Sequence, residues 1–196
     1  MGRARDLANI LSSSGNVALD SEMGLSLITP TSIATTGGSG SISSSGGVSF
    51  TSASAISLND VFSATYTNYR ILITHSQTVD ANYLGFRLRV GGTDASGSNY
   101  TRQLLRGITS SASSFQDANQ TFHVIGISGT TSGVLSCDIF RPFQTERTKL
   151  ISTATILNNI SFWGADHSLS TSYTGFTLFP ETSTMTGTIS VYGYRN

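Results

Sequence analysis

The chain has 196 residues, of which 38% are hydrophobic, enough for one domain with a real core and a short appendage. Only 11% are charged, against a typical figure of about 25%, and 11 basic residues balance 11 acidic ones. Zero net charge excludes the long-range attraction that nucleic acid or an anionic membrane surface needs, and no apolar run approaches the ~20 residues of a membrane-spanning helix.

Gly2–Ser13 places Ala4, Leu7, Ala8 and Leu11 on a narrow apolar stripe of helical period, which predicts a short helix ended by Ser12–Gly15. About three turns are marginal in isolation, so such a helix needs a surface to pack on. Leu7–Leu11 is too short and too polar for the core of a secretory leader, and none is expected. From Met23 to Asn59 there is no charged residue, and Thr35–Ser54 is mostly Ser, Thr and Gly. Its large apolar side chains, Ile33, Ile42, Val48 and Phe50, are spaced too widely for a monomeric core. A segment of this kind is ordered by its own body, by sister chains or by a larger assembly.

From Ala55 the pattern changes to strands. Tyr69–Thr74 reads as a strand, and Leu84–Val90 alternates with Leu84, Phe86, Leu88 and Val90 on one face and Gly85, Arg87 and Arg89 on the other. Tyr100–Leu105, Thr121–Ile127, Gly133–Phe140, Lys149–Ile156, Ser161–Trp163, Gly175–Phe179 and Thr188–Tyr194 follow, separated by turn-rich stretches such as Asp94–Asn99 and Ser128–Gly133. No crossover helices intervene. The expected fold is all-β: an antiparallel β-sandwich or jelly roll preceded by an N-terminal arm with a short helix. Residues 1–54 form the expected attachment and oligomerisation arm, and 55–196 the jelly-roll-like β-sandwich domain.

Catalytic patterns are lacking. His75, His123 and His167 are far apart and lack metal-ligand spacing, and Cys137, the only cysteine, alternates with Leu135 and Ile139 as a small buried hydrophobe. No Gly-x-Ser-x-Gly elbow and no phosphate loop followed by Lys occurs. Asp94–Asn99 is too poor in acid for calcium. The 11 acidic residues show no paired-carboxylate pattern that would support a hydrolase. No cofactor and no metal is expected. Arg87, Arg89, Arg102 and Arg106 read as a solvated or ion-paired sheet face, with an inter-subunit or ligand contact as the other use. Trp163 and Tyr173, near Phe162, are candidates for stacking on a sugar ring, with core packing as the competing role; Tyr83 and Tyr100 are further candidates.

The opening Arg3–Leu11 with Gly15–Asp20 resembles the N-terminal segment of phage virion and tail-fibre proteins, common in phages of marine bacteria and cyanobacteria. Ile56–Phe62 leading into Tyr66–Ile73, Phe86–Val90 followed by Asn99-Tyr100, and the closing Gly187–Asn196 fit the same pattern, so the resemblance spans nearly the whole chain. It implies a non-enzymatic virion component on the tail or capsid exterior, often a homotrimer, with a β-sandwich head and an N-terminal attachment part that contacts other virion proteins. Leu7, Ile10 and Leu11 are the expected attachment residues, and Ile33, Ile42, Val48 and Phe50 the residues shared across the assembly. Two other readings stand beside a tail fibre: a capsid decoration or short head fibre, and a carbohydrate-binding module recognising a host surface glycan.

Overall fold

The structure, a computed structural model, describes residues 24–80, 82–156 and 159–195. The expected N-terminal helix, with Leu7, Ile10 and Leu11, lies outside the described residues. The strands in chain order are β1 (Leu25–Ile28), β2 (Ser32–Thr36), β3 (Ser39–Ile42), β4 (Val48–Ala53), β5 (Ala55–Asn59), β6 (Asn68–Gln77), β7 (Asn82–Val90) and β8 (Thr93–Asp94). They continue as β9 (Tyr100–Ile108), β10 (Ser111–Gln120), β11 (His123–Ser128), β12 (Gly133–Phe140), β13 (Thr148–Ile156), β14 (Asn159–His167), β15 (Gly175–Pro180) and β16 (Met185–Tyr194).

These strands make two facing sheets. One has ten strands in the order β10-β9-β14-β13-β12-β6-β16-β4-β3, with β1 also paired to β16; the other has six, β11-β7-β15-β5-β2, with β8 on β7. Every described pairing is antiparallel. The architecture is therefore an all-β antiparallel sandwich, whose chain passes repeatedly from one sheet to the other.

Period-2 alternation builds the core. Tyr69, Ile71 and Ile73 on β6, Leu135, Cys137 and Ile139 on β12, and Ile189 and Val191 on β16 point inward from the large sheet. Leu84, Phe86 and Leu88 on β7 and Phe176 and Leu178 on β15 meet them from the small sheet. Each such side chain withdrawn from water contributes about 1.5–3 kcal/mol. Phe86 stacks on Phe176 at 5.2 Å, and Phe62 bridges Phe176 (5.9 Å) to Tyr69 (4.8 Å). Burial pushes the Cys137 thiol pKa up, so the sole cysteine remains a neutral core group. Val90, expected on the inner face, is exposed at the end of β7.

The sparse apolar residues of the uncharged segment belong to this same core, contrary to the expectation that they are too far apart for a single chain. Val48 and Phe50 are buried, and Ile33 and Ile42 pack against the same cluster half-buried. The reason is positional. β4 pairs with β16 and β2 with β5, so each isolated hydrophobe enters a core built by other strands, and its Ser and Thr neighbours take the outward positions. Of the three settings open to residues 24–54, the chain's own body is the one observed; their strands contribute to both sheets, and no break in the core falls between residues 54 and 55.

The β2–β3 turn makes the transfer between sheets. Gly37 and Gly38 both have positive φ (64° and 56°), and a Cβ on Gly38 would lie 2.0 Å from the Thr51 carbonyl oxygen. Gly38→Ala is expected to destabilise the fold by more than the roughly 1–2 kcal/mol of left-handed strain alone, because the contact is with backbone that cannot rotate away. A denaturant titration reading less than 1 kcal/mol would contradict this account.

Candidate functional site

Adjacent residues on a strand point to opposite faces, so Phe162 faces outward and Trp163 inward. Trp163 faces inward and is 1% exposed; it packs with Leu104, Val124 and Ile127, and meets Tyr83 and Phe115 edge-on at 5.8 and 5.6 Å. Tyr173 is also buried, with its hydroxyl 3.2 Å from His167 Nδ1. Neither ring is available to stack on a sugar, which corrects that expectation. Tyr100 is fully buried as well, its hydroxyl donating to the Ala95 carbonyl at 2.6 Å.

The arginines do not share a face. Arg87 and Arg89 lie on the outside of the small sheet, where Arg89 pairs with Asp94 and donates to Asn59 Oδ1 at 2.9 Å, and Asp94 accepts from Thr177 Oγ1 at 2.6 Å. Arg102 sits on the inward side of β9, is nearly buried, and pairs with Asp117 at 3.0 Å. The Arg87 and Arg102 guanidiniums both lie over the Phe122 ring, at 5.9 and 5.2 Å. All these charges are used internally, as ion pairs or on aromatic rings.

The three histidines are buried, and His75 and His123 have no hydrogen-bond partner at either ring nitrogen among the described residues. His123 and His167 flank Tyr100 between the sheets, with ring centroids at 4.6 and 4.4 Å. Desolvation lowers all three pKa values, that of His75 to about 4. Among the described residues there is no cluster of three or more His, Cys, Asp or Glu that could hold a metal ion.

What remains is a surface. Leu72, Leu105, Val134, Ile151, Ile160 and Phe162 are 41–58% exposed, and all project from the outer face of the ten-stranded sheet. The registers align them in rows across the strands. One row runs Leu105, Phe162, Thr153, Ser136, Leu72; another runs Ile160, Thr155, Val134, Thr74, Thr188. Beside the first, on the side away from the second, a third passes through Ile151, Asp138 and Arg70 to Tyr192 and Leu27. Across these three rows the only charges are Arg70 and Asp138. They neutralise each other through two 2.7 Å hydrogen bonds, and the Tyr194 hydroxyl donates to the same carboxylate at 2.6 Å. Burial, followed by the bond to Asp138, pushes the Tyr194 pKa up to about 12, so it stays a donor. Hydroxyl side chains and Gly164 leave shallow depressions between the apolar ridges, one of 420 Å³ beside Leu72 and Val134 and another of 420 Å³ beside Leu105 and Phe162. No described residue covers this face.

At the foot of the face, where β12 ends and β13 begins, two further concavities of 330 and 480 Å³ adjoin through shared Phe140, Arg141 and Lys149. Arg141 pairs with Glu146 and Arg147 with Asp166, whereas Lys149 has no carboxylate within 4 Å among the described residues.

The sequence contained a signal for the outer face that alternation alone hides. Ile71-Leu72-Ile73, Leu104-Leu105, Val134-Leu135, Leu150-Ile151 and Phe162-Trp163 are consecutive hydrophobes on strands, so at each of them one apolar side chain is out of phase with the core.

No protein-family model matches the chain, and no curated protein matches it. Among solved structures, it is similar to the basic winged bean lectin in a crystal structure with Tn-antigen (8% identity, 85% of this chain and 96% of that chain, TM-score 0.27). It is similar also to the C-terminal CBM6 of LamC, a marine laminarinase from Zobellia galactanivorans (12% identity, 86% and 98%, TM-score 0.30), and to the SPRY domain of human HERC1 (8% identity, 87% and 98%, TM-score 0.33). At TM-scores this low, the class of the protein rests on its own strands: an antiparallel β-sandwich with a broad outer face whose apolar rows carry one neutralised ion pair.

Proposed function

We propose that this chain is a non-enzymatic structural component of a phage particle, a tail-fibre or fibre-like protein that attaches through its N-terminal segment and associates with copies of itself through the outer face of the ten-stranded sheet. The observation that carries the self-association is the continuous patch of Leu72, Leu105, Val134, Ile151, Ile160 and Phe162 with no unpaired charge among them. From β10 to β16 the face is about 29 Å across and about 30 Å along the strands. That area, on the order of 850 Å², matches the roughly 800 Å² per partner of a stable interface. Zero net charge lets identical copies meet without repulsion. The phage assignment takes its support from the resemblance in residues 3–20, 56–73 and 187–196, and homotrimer is the oligomer it implies. A capsid decoration or short head fibre draws on the same features, and labelling of whole particles separates it from a tail position.

Light scattering after size exclusion tests the association. The wild-type chain is expected to be oligomeric at micromolar concentration, and Phe162→Asp with Ile151→Asp to give a folded monomer, since both side chains are already in water. A monomeric wild type, or an unchanged oligomer in the double variant, overturns the assignment of this face. Deletion of residues 1–13 is expected to abolish incorporation into particles; a truncated chain still incorporated refutes attachment through Leu7, Ile10 and Leu11.

A second reading, a carbohydrate-binding module, is favoured by a different place: the concave, partly aromatic and cationic foot of the same sheet.

A further inference from the structure

We propose that the trough around Phe140, Arg141 and Lys149 binds an acidic saccharide, one carrying a carboxylate or a sulfate ester. The inference rests on the carbohydrate-binding reading; Ile151 and Gly164 border both this trough and the apolar face.

The trough is built by three elements. β12 delivers Phe140 at its last residue, the turn that follows holds Arg141 at a positive φ of 55°, and β13 brings Lys149 directly across from Phe140. Glu146 pairs with the Arg141 guanidinium and Asp166 with that of Arg147, so the charges of these two exposed cations are balanced. Lys149 is the cross-strand neighbour of Asp166, yet that carboxylate is engaged by Arg147, and the exposed ammonium is left in excess. It is also the only lysine in the chain. A net positive trough with one uncommitted ammonium selects an anionic group.

The remaining lining fits a sugar ring. Phe140 and Ile151 offer apolar surface, and nothing lies within 4 Å of where a Cβ on Gly164 would project, so the floor beside them is open. Asn68, Thr145 and Ser170 supply hydroxyl and amide groups at the rim. A pyranose presents the same combination in reverse, an apolar ring face with hydroxyls around its edge. The two concavities, 330 and 480 Å³, fall in the range of about 300–1,000 Å³ that small ligands occupy.

Isothermal titration of the full chain with a sulfated oligosaccharide, a uronic-acid oligosaccharide, a neutral glucan oligosaccharide and an acidic peptide tests this. At least one acidic saccharide is expected to bind and to weaken as salt is raised. Lys149→Gln is expected to reduce the affinity about tenfold, the worth of one charge-assisted contact, and Lys149→Arg to retain it. Lys149 is exposed and outside the core, and a thermal melt of each variant verifies its fold. Equal binding of the neutral glucan leaves the carbohydrate reading standing and overturns the acidic assignment. Absence of binding by every saccharide overturns both, as does binding of the acidic peptide alone. Binding indifferent to Lys149→Gln overturns the location.

Discussion

Trp163→Ala is expected to cost about 3–5 kcal/mol of folding stability, the range for removing a fully buried Trp. The indole fills the smaller of the two core clusters, between Leu104, Val124 and Ile127, with Tyr83 and Phe115 on its edges. Its removal leaves a cavity that strands β9, β11 and β14 cannot close without distorting their ladders. Part of the loss is offset, because Nε1 is buried without a hydrogen-bond partner among the described residues, and deleting an unsatisfied donor recovers about 1–3 kcal/mol. The net effect therefore belongs in the lower half of the range. Trp163→Phe, which also deletes that donor but keeps a ring in place, is expected to lose less than half as much. Equilibrium urea unfolding with both variants measures the difference. A Trp163→Ala loss below about 1 kcal/mol would contradict the core role of this ring.

Acidification is expected to destabilise the sandwich steeply between pH 6.5 and 4. His75, His123 and His167 are neutral in the folded chain because burial lowers their pKa values, His75 to about 4 and His123 well below its ordinary 6.5. In the unfolded chain they titrate near 6.5. Below that pH the unfolded state binds protons that the folded state refuses, so stability falls as pH falls, until the folded pKa is reached. For His75 alone the full loss is about 3 kcal/mol. His123 adds to it, since Arg102 and His167 nearby also disfavour its charge. Thermal midpoints at pH 7, 5.5 and 4 check this: a fall of many degrees is expected, and a midpoint constant over that interval would show that the histidines have access to water or a carboxylate. Against a total of 5–15 kcal/mol for a typical domain, the histidine contribution is large.

The strand pattern was legible wherever apolar residues recur at alternate positions between turn residues. β7, β12 and β13 were recognisable at nearly their observed limits, and Cys137 was correctly assigned as a core residue, because an alternating run with flanking turn residues has few other uses. β10 was missed. Its sequence, Ser111–Gln120, is almost wholly polar and contributes only Phe115 to packing; it is a strand because β9 offers it a ladder along Ser111–Gln120, a partner nothing in its own residues announces. β2 and β3, in the Ser/Thr/Gly segment, were hidden for the same reason.

The sequence by itself determined the all-β class, the phase of most strands, and the lack of a recognisable catalytic pattern. These depend on local period, turn chemistry and residue type, all of which are properties of neighbouring positions. Only the tertiary structure decided that Val48 and Phe50 serve the chain's own core, that Trp163 points in while Phe162 points out, and that Leu72, Val134, Ile151 and Leu105 form one uncovered patch. Alternation states which residues of a strand share a face. Whether that face meets a second sheet, and which distant strands continue it sideways, is set by pairings such as β6 with β12 and β14 with β9, separated by tens of residues in the chain. Both the proposed association face and the Lys149 trough are products of those pairings.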